Sequence, residues 1–171
     1  MLNKIIITGV ATAGKSTTIN ALMSKGVKAI DPEVKWRNTT LRTKKPWRNP
    51  SWESAAWVSW RFLETIHLIG SFLSNEVVAA HPDTLLFPHD RSVWPGLDAY
   101  PRIIFNAKAI FFLDVIPDKA SERDEALSEY TKSGPEKLKR LQAVFNNVKV
   151  LPVMAVDARV EAIMQELRRP L

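Results

Sequence analysis

LNKIIITGVATAGKS, residues 2–16, is the stretch that decides the fold. Ile5, Ile6 and Ile7 form an apolar run without alternation, as expected of a parallel strand covered on both faces. Thr8 then leads into Gly9-Val10-Ala11-Thr12-Ala13-Gly14-Lys15-Ser16, spaced G-x-x-x-x-G-K-S. Gly9 and Gly14 let the backbone curl tightly, so that successive N–H groups point inward at phosphate oxygens. Lys15 places a positive charge on the β- and γ-phosphates, and the Ser16 hydroxyl suits Mg²⁺. Such a loop opens a helix, whose N-terminus also favours anions. Residues 16–25 (STTINALMSK) meet that need, with Ile19, Leu22 and Met23 on one face and Gly26 ending them. The expected ligand is a nucleoside triphosphate held by residues 9–17, through Thr17.

At 171 residues the chain suits one domain, 1–171, with a sizeable core. The absence of cysteine excludes a disulfide framework and thiolate chemistry. MLNKIII runs straight into the first strand and leaves no room for a signal peptide, and no apolar run approaches a membrane span. A cytoplasmic protein without a membrane partner is expected. The formal charge of +6 is uneven: residues 1–60 hold ten Lys/Arg against three Asp/Glu, and the rest is near neutral. Six of these bases (Lys35, Arg37, Arg42, Lys44, Lys45 and Arg48) fall between Glu33 and Glu53 with no acid among them. The span 35–48 attracts phosphate, whether on a small substrate or on nucleic acid.

Residues 27–30 (VKAI) read as a second strand, ending in Asp31-Pro32-Glu33. Ligands of open α/β sheets collect at the carboxyl ends of strands, which places Asp31 and Glu33 to meet a substrate or a metal-bound water. A long helix is predicted from Trp52 to about Ser74, with Ser51 as N-cap. Its inward stripe is read as Trp52, Ala56, Trp60, Leu63 and His67, with Trp57 beside it and His67 as a core histidine. Residues 76–80 read as an extension of that helix or a further turn. Residues 84–87 (TLLF) read as the third strand, delivering Asp90 and Arg91 at its carboxyl end. An acid there is suited to organising Mg²⁺, and Arg91 to clamping a phosphate or sugar. Residues 109–113 (AIFFL) and 148–151 (VKVL) read as the fourth and fifth strands, with Asp157 capping a closing helix. Residues 118–146 are rich in charge and are split by Gly134-Pro135; Arg123 is the preferred cation should they close as a lid. The predicted architecture is α/β: a three-layer sandwich around a five-stranded parallel sheet.

These landmarks resemble the P-loop nucleoside and nucleotide kinases, in the branch of thymidylate kinase and the deoxyribonucleoside kinases. The N-terminal G-x-x-x-x-G-K-S loop carries most of the resemblance. Glu33-Val34-Lys35-Trp36-Arg37-Asn38 is similar to their Glu-Pro-Val…Trp segment, except that Pro32 precedes the acid. Asp90-Arg91-Ser92 with Asp98-Ala99-Tyr100 is similar to their Asp/Glu-Arg-Ser/Tyr motif and downstream Ala-Tyr. Leu113-Asp114-Val115-Ile116-Pro117-Asp118, followed by Arg123, is similar to their fourth strand and the start of their lid. The resemblance extends to ribosylnicotinamide kinase domains, which share an Arg-Val pair like Arg159-Val160 in the final helix.

The resemblance implies an ATP- and Mg²⁺-dependent phosphotransferase. It implies Lys15, Glu33, Asp90, Arg91 and Arg123 as catalytic groups, with Glu33 as base or hydroxyl orienter. Ser16 and Asp90 would hold Mg²⁺, while Asp31, Trp36, Arg37, Trp57, Trp60 and Arg91 would meet the acceptor. The inverted Asp-Pro-Glu leaves open whether Asp31 or Glu33 is the active acid. The acceptor is a nucleoside or nucleoside monophosphate; the basic, Trp-rich span 35–60 leaves a hydroxyl of nucleic acid open as well. A homodimer is compatible with the resemblance. The rival from another class is a regulatory nucleotide-binding module, although the Asn-Lys-x-Asp element of guanine specificity is missing at residues 106–109 (NAKA).

Overall fold

The computed structural model describes residues 2–10, 13–32, 55–89, 106–114 and 133–171, with the backbone alone for 55–61. Within these, β1 (Leu2–Thr8), β2 (Ala29–Ile30), β3 (Val77–Ala79), β4 (Ala107–Leu113) and β5 (Val148–Leu151) form one sheet, all parallel, in the order β2-β3-β1-β4-β5. The central β1 pairs Ile5 with Val77 on one side and with Ala109 on the other. Ile5, Ile6 and Ile7 are completely buried because helices cover both faces of the sheet.

Alternation along each strand sorts the core into two layers. Ile5, Ile7, Val77, Ala79, Phe111 and Leu113 face α1 (Lys15–Ser24) and a C-terminal helix (Val156–Arg168), meeting Ile19, Leu22, Val160 and Ile163. Ile6, Val78, Ile110 and Phe112 face the other side. There they meet Leu68 and Phe72 of α2 (Ala55–Ser74), Leu85 of α3 (Pro82–Leu86) and Leu141 of α4 (Gly134–Val144). The C-terminal helix is α5. Each fully buried side chain of this size contributes roughly 1.5–3 kcal/mol. Lys4 closes the carboxyl end of α2, its ammonium donating to the carbonyls of Phe72 (2.6 Å) and Asn75 (3.1 Å).

The third strand is not where the sequence predicts it. Val77-Val78-Ala79 forms it, whereas residues 84–87 lie in α3 and in a 3₁₀ turn, Phe87–His89. The β-branched Val-Val pair suits a pleated strand, while Pro82 and Asp83 are suited to a first helical turn. His81 caps α3, its Nδ1 accepting from the Asp83 N–H at 3.2 Å. Asp90 and Arg91 therefore do not directly follow the third strand, and both lie outside the described residues.

The inward face of α2 also differs from expectation. Thr65, Leu68 and Phe72 are buried, whereas Phe62, Leu63, Ile66 and His67 are exposed. Apolar residues occupy both faces of this helix, so spacing alone points to either. Asp157 lies in the first turn of α5 and is not its cap, a position held by Ala155. No helix among the described residues is long and apolar enough to cross a membrane.

Candidate phosphate-binding site

The loop after β1 has the backbone its glycines demand. Gly9 has φ +146°, and a β-carbon there would lie 2.8 Å from the Leu113 carbonyl oxygen and 3.0 Å from Ala13 Cβ. Only glycine passes that close to the end of β4. Gly14 has φ +83° and precedes the first residue of α1. The N-terminus of α1 is thereby aimed at the loop, where its partial positive charge adds to any anion held there.

Lys15 is buried, 8% exposed, and its ammonium donates to the carbonyls of Gly9 (2.8 Å) and Val10 (2.9 Å). The lysine thus arches back over the start of its own loop, and these bonds offset the cost of removing its charge from water. Ser16 donates from Oγ to Asp31 Oδ2 at 2.6 Å, the length of a hydroxyl bonded to a carboxylate. Strand β2 delivers that carboxylate from its carboxyl end, as the strand–loop argument expects. A hydroxyl and a carboxylate oxygen in contact at the start of α1 are the hard donors Mg²⁺ takes, so the residues fit that ion.

From the opposite side, Arg159 of α5 reaches the back of the loop. Its Nη1 donates to the Ala13 carbonyl (3.2 Å) and to Thr18 Oγ1 (3.3 Å), and Thr18 in turn donates to the Gly14 carbonyl (2.9 Å). Burial pushes the guanidinium pKa down from its ordinary value. α4 closes the remaining flank: a β-carbon on Gly134 would lie 3.6 Å from Val10 Cγ1.

A second polar group follows the carboxyl end of β3. Asp83 Oδ2 accepts from Lys137 Nζ of α4 at 2.9 Å and lies 3.5 Å from His81 Nδ1. Beside it, Thr84 Oγ1 donates to Glu64 of α2 at 3.3 Å. Lys137 belongs to the charged span 118–146, yet its side chain is only 12% exposed.

Of the sequence-predicted residues, the structure brings together Gly9, Val10, Ala13, Gly14, Lys15, Ser16 and Asp31, with Thr17 exposed on α1. Ala11, Thr12, Glu33, Trp36, Arg37, Asp90, Arg91, Arg123 and the basic span 35–48 lie outside the described residues. Trp57 and Trp60 are placed on α2 by backbone only. Asp83 is not among the sequence-predicted residues, and Arg159 enters there only through the Arg-Val resemblance, without a role at the loop. Arg159 had a signal: it is the one cation on a stripe with Val160 and Ile163, where a charge demands a reason.

No protein-family model and no curated protein sequence matches the chain. Solved structures do. A shikimate kinase from Acinetobacter baumannii, in complex with shikimate, superposes with TM-score 0.57 at 16% identity, over 96% of this chain and 92% of that one. A thymidylate kinase from Candida albicans superposes with TM-score 0.50 at 14% identity, over 94% and 88%. A gluconokinase from Sinorhizobium meliloti 1021 gives 0.49 at 16% identity, over 96% and 90%. The fold is thus the α/β fold of the P-loop kinases, a parallel five-stranded sheet between helices.

Proposed function

We propose that this chain is an ATP-dependent phosphotransferase that moves the γ-phosphoryl group to a nucleoside or a nucleoside monophosphate. The observation that carries the reading is the joint placement of Lys15 over its loop and of the Ser16–Asp31 pair beside it. The fold supports phosphoryl transfer without choosing the acceptor, since fold does not imply substrate. Its likenesses include kinases named for shikimate and for thymidylate. The choice of a nucleoside-type acceptor therefore rests on the resemblance of residues 33–38, 90–100 and 113–123.

Transfer of this kind needs positioning and charge neutralisation more than covalent chemistry by the protein. The inward N–H groups of the loop and the N-terminus of α1 hold the β- and γ-phosphates, and Lys15 exchanges its bonds to the Gly9 and Val10 carbonyls for phosphate oxygens. Ser16 and Asp31 would hold Mg²⁺, which when bound neutralises charge on the phosphate oxygens. This role for Asp31 leaves Glu33 as the acid that orients an acceptor hydroxyl and takes its proton. Arg91 and Arg123 are proposed to steady the transferring group, as the resemblance implies. The acceptor oxygen then forms the new bond to phosphorus while the bridging oxygen leaves with ADP.

The test is ADP release from Mg²⁺-ATP against nucleosides, deoxynucleosides, their monophosphates, shikimate, gluconate and a DNA oligomer. Wild type is run beside Lys15→Ala and Glu33→Gln. Transfer to one nucleoside-type acceptor, lost in Lys15→Ala and crippled in Glu33→Gln, is expected. Transfer to DNA alone would assign the basic span 35–48 to a nucleic-acid acceptor. Tight ATP binding with no transfer to any acceptor would overturn the proposal in favour of a regulatory nucleotide-binding module.

A further inference from the structure

Arg159 is 8% exposed, and among the described residues no carboxylate pairs with it. Its Nε is buried without a hydrogen-bond partner among those residues, and Nη2 reaches only the Met154 carbonyl at 3.5 Å. A buried cation left this way is costly unless something answers its charge. A buried arginine can serve merely to join two helices, and Arg159 does link α5 to α1 through Thr18. What distinguishes this one is its aim. Nη1 lies 2.8 Å from where a β-carbon of Gly14 would stand, against the backbone that turns into α1.

The geometry follows from the planarity of the peptide. The Ala13 carbonyl and the Gly14 N–H belong to one trans unit and point in opposite directions. Holding the carbonyl toward α5 with Nη1 at 3.2 Å aims the Gly14 N–H to the other side, into the loop. Thr18 holds the next carbonyl, that of Gly14, in the same way and is itself held by Nη1. The guanidinium therefore orients the Ala13–Gly14 peptide directly and touches the next one only through Thr18, whose backbone N–H also donates to the Gly14 carbonyl.

We propose that Arg159 is a positioning residue of the phosphate site: it locks the Ala13–Gly14 peptide with its N–H toward the nucleotide's phosphates and supplies, through the loop, a positive charge that the polyphosphate answers. This rests on the reading of the loop as a triphosphate site. Arg159 touches no substrate atom, and its contribution falls on the phosphate chain, not on the base or sugar.

Calorimetric binding of ATP and of inorganic tripolyphosphate tests this on wild type, Arg159→Met, Arg159→Lys and Lys15→Ala, below the melting temperature of each. Arg159→Met is expected to weaken both ligands together by about tenfold, the scale of one lost charge-assisted bond. Arg159→Lys keeps the charge without the fork and is expected to lose about threefold, recovering part of the effect. If the Met variant does not fold, the matched loss in the Lys variant carries the test. Affinities within twofold of wild type in the folded variants, with only the melting temperature lowered, would reduce Arg159 to a structural residue. So would loss of ATP binding without loss of tripolyphosphate binding. Failure of the loop reading is separable: there, Lys15→Ala leaves wild-type binding unchanged.

Discussion

Asp31→Asn is the substitution that most sharply separates the proposed chemistry from folding. The carboxylate accepts the Ser16 hydroxyl at 2.6 Å, and an asparagine presents a carbonyl oxygen of nearly the same shape in the same place. The hydrogen bond therefore survives in neutral form. A charge-assisted bond is worth roughly 1.5–3 kcal/mol net and a neutral one about 1, so stability should fall by about 1 kcal/mol. For a chain of this size that is a drop of about 2–4 °C in melting temperature. The Mg²⁺ effect is of another order, because Asn removes the carboxylate bonded to Ser16. Losing an anionic ligand of this ion should weaken Mg²⁺-dependent ADP binding by about tenfold, or about 1.4 kcal/mol. The assay is calorimetric titration with ADP, with Mg²⁺ and with EDTA. Wild type should bind more tightly with the ion. The variant should lose that gain while its affinity in EDTA stays level or improves, since a negative charge near the phosphates has gone. An unchanged Mg²⁺ gain in Asp31→Asn would refute the assignment and return the metal role to another acid.

Gly9→Ala forces a β-carbon to 2.8 Å from the Leu113 carbonyl at φ +146°, so it should cost about 1–3 kcal/mol and abolish nucleotide binding, read by thermal melting with and without ATP. Glu166 is held below the usual carboxylate range by its hydrogen bond to Lys149 at 2.7 Å, opposed by burial and helped by Arg169 and Lys108. A lowered folded-state pKa contributes stability above the unfolded value of 4.5 and loses it as pH falls through the folded value. Glu166→Gln should therefore melt below wild type at pH 7, the gap closing as the pH drops under 4.5; a gap that persists undiminished there would contradict it. Asp83 and Lys137 join α3 to α4 with side chains 15% and 12% exposed. Asp83→Asn and Lys137→Met should each cost roughly 2 kcal/mol in urea unfolding, with a coupling of about 1 kcal/mol in the double-mutant cycle.

How much was legible in the residues depends on whether one physical cause acted alone. The run Ile5 to Ile7 and the two loop glycines admit a single reading, because burial on both faces and a tight phosphate turn leave no alternative residue types. Asp31 was placed correctly at the end of β2, but its bond to Ser16 is a tertiary fact that no spacing announces. The sequence points the third strand to residues 84–87 because short apolar runs look alike, and length does not arbitrate between VVAA and TLLF. β-Branching could have done so. The face of α2 misled for a related reason: apolar Phe62, Leu63 and Ile66 are exposed while Leu68 and Phe72 are buried, so apolar spacing alone fits more than one face.

The relocated strand changes where the acceptor should be sought. β3 ends at Ala79, and Ala80 still donates to the Ile7 carbonyl at 2.9 Å, so the chain leaves the sheet beside the start of the phosphate loop. The residues that emerge there are His81, Asp83 and Thr84, which join Lys137 and Glu64. β2 and β3, neighbouring strands on one side of β1, then contribute acids by different routes, Asp31 to the hydroxyl of the loop and Asp83 to a lysine of α4. An acid already committed to a half-buried ion pair is a poor metal ligand, since binding the ion means breaking the pair. Asp31 touches a hydroxyl that is itself a suitable Mg²⁺ ligand, so an ion placed there would take both groups together. What each carboxylate is bonded to, a metal-suited hydroxyl for Asp31 and a lysine for Asp83, is the ground on which the first is proposed as the metal ligand and the second as a strut.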